Sequence, residues 1–192
     1  MKSKHNNIYI AAILLLLAVK AQGQVYINIG TNLTNIETSH IGRDHNVYGT
    51  GYSLGLNYKY DISNTFSIKT GGVFVSRKDI RLDARQYEDY FFKEDDWLKI
   101  TQNIVCVPID LRTRFFNKFN FISGIDLNYF LKNSNTKFKN AFDPNFKVGL
   151  SYDKDKWLID IGYTQSIKPY ASESIFDFKN KAFFLAFNYR IF

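Results

Sequence analysis

The stretch from Val47 to Asp61, VYGTGYSLGLNYKYD, alternates in character without interruption. Large side chains, mostly Tyr and Leu, occupy every second position, and Gly, Ser, Asn and Lys stand between them. A period of two predicts a β-strand with one large-apolar face and one small-polar face, because successive side chains leave opposite sides of an extended chain. In a water-soluble barrel the apolar face turns inward, whereas in a membrane barrel it faces lipid. This stretch alone fits both.

The same alternation recurs along the chain and predicts eight strands. When each register is chosen to be as apolar as possible, no large-apolar face carries a charged residue, and the charges fall on the opposite faces. A soluble barrel of this pattern would have to expose its aromatic face or bury its charges around a ligand. A membrane barrel accommodates both faces, because its apolar face contacts lipid and its charged face lines a polar lumen. The predicted strands lie near 24–34, 47–60, 65–78, 97–115, 118–132, 144–153, 156–167 and 180–192.

Short and long links alternate strictly between these segments. The short links are 61–64, 117–118 and 153–156, and the long links are 35–46, 79–96, 133–143 and 168–179. This rhythm is typical of outer-membrane barrels, which have short periplasmic turns and longer extracellular loops. The sequence therefore predicts an all-β fold, an eight-stranded antiparallel up-and-down transmembrane β-barrel in a Gram-negative outer membrane. Both termini are expected in the periplasm.

The first residues have the organisation of an export signal. Lys2 and Lys4 precede the apolar run IYIAAILLLLAV, and small residues follow at Ala21 and Gly23. Twelve apolar residues are too few to span a bilayer as a helix. We expect a cleavable signal peptide at 1–23 and a barrel domain at 24–192. Cys106 is the only cysteine, which excludes an intramolecular disulfide and a lipidated cysteine after the signal.

The net charge does not indicate a nucleic-acid partner. The formal charge is +7, and it falls to +4 when Lys2, Lys4 and Lys20 leave with the signal. The chain has neither a basic run nor a recognisable nucleic-acid-binding motif.

The lumen charges are the most informative candidate site. Eight strands enclose an interior that side chains nearly fill, so buried charges must largely pair with one another. A blocked, ion-paired lumen is the favoured interpretation, and an ion or proton path is the alternative. The predicted lumen residues are Lys59, Lys69, Asp110, Arg112, Asp126, Lys147, Asp160 and Arg190. The predicted lipid-facing residues are Leu54, Leu56, Ile109, Leu111, Ile125, Leu127, Ile159 and Leu185. Leu56→Arg is expected to impair assembly, and Gly55→Ser to be milder.

The longest link combines acidic and aromatic residues. The segment 79–97 carries seven carboxylates together with Tyr87, Tyr90, Phe91 and Phe92. Such residues can bind Ca²⁺, bridge lipopolysaccharide through divalent cations or anchor a partner, but no Ca²⁺-loop spacing is present. The favoured interpretation is a strand extension beyond the membrane, capped by a solvated loop.

An enzymatic interpretation has to use the link SHIGRDH. Ser39, His40 and His45 are the candidate residues for lipid A acyl transfer or deacylation at the barrel rim, since His40 and His45 are the only histidines after the signal. A nucleophilic site is defined by geometry, which sequence proximity does not supply. We therefore predict no enzymatic activity and no cofactor or metal, and Cys106 is interpreted as a lumen filler.

Three stretches carry a family resemblance: IVCVPIDLR at Ile104 to Arg112, FNFISGIDLNYFL directly after it, and the closing AFFLAFNYRIF. They resemble the small PorT-type outer-membrane β-barrel family over most of 24–192. The resemblance implies a barrel recognised by the barrel assembly machinery. It also implies a non-enzymatic structural, adhesion or secretion-associated role, with outer-membrane lipid, lipopolysaccharide and a secretion or surface protein as partners. A narrow channel or transport accessory is the alternative.

Two positions depart from the family pattern. Pro108 lacks the N–H that a closed ladder needs, which predicts a local bulge or a lumen-side water. Phe192 overruns the alternation by one residue, which predicts either a bend toward lipid or a bulge in the last strand.

Overall fold

The computed structural model describes residues 23–40, 43–82, 98–131, 142–168, 172–173 and 176–192. These residues form antiparallel strands that close into an eight-stranded barrel, because β1 pairs with both β2 and β9. The two-residue strand β8 pairs only with the start of β9. The predicted all-β barrel is confirmed. The strands are β1 Gly23–His40, β2 Arg43–Asp61, β3 Phe66–Leu82, β4 Leu98–Phe116, β5 Phe119–Phe130, β6 Phe142–Lys154, β7 Trp157–Ser166, β8 Ser172–Glu173 and β9 Phe176–Arg190.

The two faces of the opening stretch lie on opposite sides of the barrel wall. Leu54 and Leu56 point outward and are 54% and 56% exposed, whereas Asn57 and Lys59 point inward and are 2% and 3% exposed. The other barrel strands largely follow the same rule, with most aliphatic and aromatic residues outside and mainly polar residues inside, although Ile104, Ile122 and Leu158 are fully buried. This is the inverse of a water-soluble core. Within the described ranges, no helix is long and apolar enough to cross a membrane.

Every predicted barrel strand is present, but several predicted ends are wrong. The predicted link 35–46 is mostly strand, since β1 runs to His40 and β2 begins at Arg43. Two other strands begin earlier than predicted, β6 at Phe142 and β9 at Phe176, and β8 was not predicted. The polar ends of these strands lack apolar alternation, and they are held by pairing with distant partners such as Ser39 with Asp177.

The short links form tight turns at one end of the barrel. Two of them contain only two residues each, 117–118 and 155–156, and the third spans 62–65. Asn117 and Asp155 adopt positive φ values of 32° and 56°, a region that Asn and Asp tolerate better than most residues. In the third turn, Ser63 Oγ accepts hydrogen bonds from the N–H groups of Thr65 and Phe66. Residues 1–22 of the predicted signal segment lie outside the described residues, and so do 41–42, 83–96, 133–141, 169–171 and 174–175 of the predicted long links.

The bulge expected at Pro108 is absent. Pro108 pairs regularly with Asp126 on β5, and the register between β3 and β4 is the same on both sides of it. The missing N–H is accommodated instead by a gap in the β3–β4 ladder, where Gly71 and Gly72 have no paired residue on β4.

The strand end at Phe192 has the geometry of a β-bulge. The Ile191 N–H donates to the Val25 carbonyl at 2.9 Å, and the Val25 N–H donates to the Phe192 carbonyl at 3.2 Å. Ile191 and Phe192, which directly follow β9, therefore oppose the single residue Val25 of β1, which is one of the two solutions predicted for the extra residue.

Candidate functional site in the barrel lumen

A polar layer crosses the middle of the lumen, and every strand of the barrel wall contributes to it. Strands β3 to β7 contribute charged residues to this layer. The other strands of the wall contribute asparagines, namely Asn28 of β1, Asn57 of β2 and Asn188 of β9. We call its six buried charges the lumen network: Lys69, Asp110, Arg112, Asp126, Lys147 and Asp160. Side chains from opposite walls thus meet in the centre of the barrel.

Asp160 is the hub of one half of the lumen network. Its Oδ2 lies 2.7 Å from both Lys69 Nζ and Arg112 Nη2, and it also accepts a 3.1 Å hydrogen bond from Asn188 Nδ2. Arg112 is fully buried and donates a second hydrogen bond to Ser151 Oγ at 2.7 Å. Charge-assisted bonds of this length are among the stronger polar contacts in proteins.

Lys147 is the hub of the other half. Its Nζ lies 3.0 Å from Asp126 Oδ1 and 3.1 Å from Asp110 Oδ1. Asp110 joins the two halves, because its Oδ2 lies 3.7 Å from Lys69 Nζ and 3.8 Å from Arg112 Nη2. Three cations balance three carboxylates, so the layer needs no counterion from solvent. Neutrality of this kind lets ionised groups remain buried in a narrow interior.

The structure brings six of the eight predicted lumen charges together and leaves two outside. Lys59 lies nearer the short turns, where its Nζ contacts Asp153 Oδ2 at 2.8 Å and Asp61 Oδ1 at 3.3 Å. Arg190 belongs to none of the ion pairs between described residues. The acidic partners of Lys59 were not predicted, because they stand at strand ends where the alternation fades.

A second buried polar layer lies nearer the other end of the barrel and was also missed. The Asp143 carboxylate is fully buried and accepts hydrogen bonds from Ser166 Oγ at 3.0 Å and Asn180 Nδ2 at 3.1 Å. With its amide nitrogen toward Asp143, Asn145 donates to the carboxylate and accepts from Asn128 Nδ2 at 3.0 Å. Asp143 falls in the predicted link 133–143, and its uncharged partners leave no distinctive signal in a polar strand face.

A cavity of about 90 Å³ adjoins the lumen network on the side of this second layer. It is large enough to hold water molecules. Two acceptors of its lining residues, Asn57 Oδ1 and Asp160 Oδ1, have no hydrogen-bond partner among the residues that the structure describes. Cys106 is buried in the same lining, as expected for an interior filler.

The residues of the enzymatic alternative lie at the far end of the β1–β2 hairpin. The backbone register opposes Ser39 to Asp44, Thr38 to His45 and His40 to Arg43, so Ser39 and His45 are not a cross-strand pair. Their side chains, and residues 83–97 of the acidic aromatic link, lie outside what is described. Across the parts of the chain that are described, no three His, Cys, Asp or Glu side chains are grouped to hold a metal.

All eight predicted lipid-facing positions lie on the outward side of the wall. Five of them are between 42% and 56% exposed, namely Leu54, Leu56, Ile109, Leu111 and Ile125. Neighbouring outward side chains half-bury the other three, namely Leu127, Ile159 and Leu185.

Aromatic residues ring the short-turn end of this outward face. Phe119 lies 5.1 Å from Tyr152 and Trp157 lies 4.8 Å from Tyr189, measured between ring centroids. Phe115 extends the cluster at 6.4 Å from Phe119. Such girdles occur where a barrel passes from hydrocarbon to headgroups.

Comparison with known proteins finds similarity at the level of solved structures. The attachment invasion locus protein Ail of Yersinia pestis is 17% identical with a TM-score of 0.47, covering 88% of this chain and 99% of that one. Neisserial surface protein A is 11% identical with a TM-score of 0.47, covering 86% and 97%. OprG from Pseudomonas aeruginosa is 10% identical with a TM-score of 0.38, covering 88% and 96%. Similarity at this level assigns neither a family nor an activity to the chain.

No family model and no curated protein matches the sequence.

Proposed function

We propose that this chain is an integral outer-membrane β-barrel protein whose outward face contacts lipid and whose short turns lie in the periplasm. The observation that carries the proposal is the inverted distribution of side chains, with Leu54 and Leu56 exposed and Arg112 and Asp160 fully or almost fully buried. Such an exposed apolar surface is costly in water and favourable in a bilayer. The girdle at the short-turn end supports the same placement.

Within the membrane the protein has a non-enzymatic role as a structural, adhesion or secretion-associated component, similar to that implied by the PorT-type resemblance. Two features support this role. The lumen network blocks the described interior, and β1 and β2 continue as a paired hairpin to His40 and Arg43. A closed barrel with hairpins at its loop end suits the display of a surface for lipopolysaccharide or a protein partner.

Membrane fractionation with a heat-shift gel tests this assignment. We expect the mature protein in the outer-membrane fraction, and we expect unheated protein to migrate differently from boiled protein because a closed barrel resists detergent. Recovery in the soluble periplasmic fraction without a heat-dependent shift would overturn the assignment.

A narrow channel is the second candidate, and the lumen cavity is the observation that favours it. Planar-bilayer recordings of the purified barrel separate the two. The blocked lumen predicts no steady openings, whereas reproducible conductance steps would replace the structural role with transport.

The rim-located lipid enzyme is tested separately by mass analysis of lipid A in cells with the wild-type protein, with His40→Ala and without the protein. We expect the same lipid A in all three.

A further inference from the structure

Three lysines crowd the short-turn end on one side of the barrel. Lys118 lies in the turn between β4 and β5, and Lys154 and Lys156 flank the turn between β6 and β7, all exposed. The two turns are adjacent, since the Asp153 N–H donates to the Lys118 carbonyl at 2.8 Å. We call Lys118, Lys154 and Lys156 the basic turns.

The positive charge of the basic turns is only partly offset by neighbouring acids. None of the three lysines belongs to the ion pairs formed between described residues. Asp153, which directly precedes Lys154, is ion-paired with Lys59, whose Nζ lies 2.8 Å from the Asp153 carboxylate. Asp155, in the turn itself, is left as the one exposed acid among them.

The third short turn at the same barrel end has a different charge. The remaining short turn, 62–65, contains no basic residue. Asp61 beside it contacts Lys59 at 3.3 Å and accepts a hydrogen bond from Gln24 Nε2 at 3.2 Å. Positive charge is therefore concentrated on the side of β4 to β7 rather than spread around the rim.

The aromatic girdle fixes the depth of these lysines. Phe116 and Phe119 bracket the first turn, and Trp157 directly follows Lys156. These three rings are 66%, 40% and 52% exposed. Aromatic residues settle at the headgroup level, and lysine side chains extend from there toward the aqueous side. In the proposed membrane placement, the ammonium groups therefore lie at the depth of lipid phosphates.

We propose that the basic turns bind the headgroup phosphate of an anionic phospholipid in the periplasmic leaflet. The inference rests on the proposed membrane placement and deepens it by naming a lipid class and its contact residues. Unpaired ammonium groups attract anionic headgroups more than zwitterionic ones, and each contributes separately to the attraction. The neighbouring rings supply the apolar contact for the upper part of the acyl chains.

Native mass spectrometry of the detergent-solubilised full protein tests the proposal. The protein is titrated with phosphatidylglycerol and, in parallel, with phosphatidylcholine, and the apparent affinity for the first bound lipid is compared. We expect phosphatidylglycerol to bind more tightly. The triple variant Lys118→Gln, Lys154→Gln, Lys156→Gln should lose about fivefold in this preference for each lysine removed.

The control carries Lys78→Gln and Lys168→Gln, two exposed lysines at the other end of the barrel. It should keep the wild-type preference. The proposal is overturned if the wild type does not discriminate between the lipids, if the triple variant keeps the preference, or if the control loses it equally. Displacement by millimolar inorganic phosphate would also overturn it, since the site would then recognise a free anion.

The heat-shift gel separates failure of this inference from failure of the proposed function. Variants that still shift on heating are folded barrels. If such proteins show no lipid preference, only the proposal that the basic turns bind anionic phospholipid is wrong. Loss of the shift in the wild type would speak against the membrane barrel itself.

Discussion

The hub position of Asp160 makes Asp160→Asn the sharpest perturbation of the lumen network. The substitution keeps the shape of the side chain but removes the charge that Lys69 Nζ and Arg112 Nη2 each approach to 2.7 Å. Both cations have nearly or fully buried side chains, and Asp110, at 3.7 Å and 3.8 Å from them, also has to neutralise Lys147. Removing one partner of a buried ion pair typically costs about 3 to 5 kcal/mol, because it leaves a charge unneutralised. We expect Asp160→Asn to lower the free energy of unfolding by that amount.

The assay is equilibrium unfolding in urea of the protein folded into lipid vesicles, followed by tryptophan fluorescence. Asp155→Asn is the matched control, since the same change falls on an exposed turn residue whose positive φ asparagine also tolerates, and it should stay within about 0.5 kcal/mol of wild type. Adding Lys69→Met to Asp160→Asn removes one cation with the anion and should recover part of the loss. The reasoning is refuted if Asp160→Asn lies within about 1 kcal/mol of wild type, or if the double variant is no more stable than the single one.

Three further predictions concern substitutions in the wall of the barrel. Leu56→Arg places a charge on the outward face and should cost about 2 to 4 kcal/mol in the same unfolding assay, with Leu56→Ala as the milder control; a cost below that of Leu56→Ala would contradict lipid contact. Gly55→Ser, expected from the alternation to be mild, should instead destabilise, because a Cβ there would collide with the carbonyl of Gly72 and approach Val73 Cα to 2.7 Å. Gly71→Ala should cost about 1 to 3 kcal/mol because its Cβ would meet the backbone of β2, whereas nothing lies within 4 Å at Gly72, where Ala should be tolerated. Equal effects at the two adjacent glycines would show that the wall is not packed as described.

The strands could be predicted because their signal is local. In VYGTGYSLGLNYKYD the character of each side chain predicts whether it faces outward or into the lumen. Regular pairing with β1 and β3 keeps this alternation in the structure. The ends could not be predicted in the same way. Residues such as Ser39 and Asp177 are polar, and backbone pairing with neighbouring strands, including their own pairing across the barrel closure, makes them strand.

The lumen was predictable in composition but not in its pairs. Alternation places Lys69, Arg112 and Asp160 on inward faces, and neutrality demands that they meet. Which residues meet depends on strand tilt and stagger, which the sequence of one strand does not report. Lys59 therefore pairs with Asp153 and Asp61 near the short turns instead of joining the lumen network.

The central claim is that the large-apolar face of the opening stretch contacts lipid. Spin labels at single cysteines test it most directly, with Cys106→Ser as background and Leu54, Leu56, Ser53 and Asn57 replaced one at a time in vesicle-embedded protein. We expect high collision rates with membrane-dissolved oxygen at 54 and 56, and low rates with both oxygen and a water-soluble nickel reagent at 53 and 57. High nickel accessibility at 54 and 56 would contradict the account, because it would place that face in water.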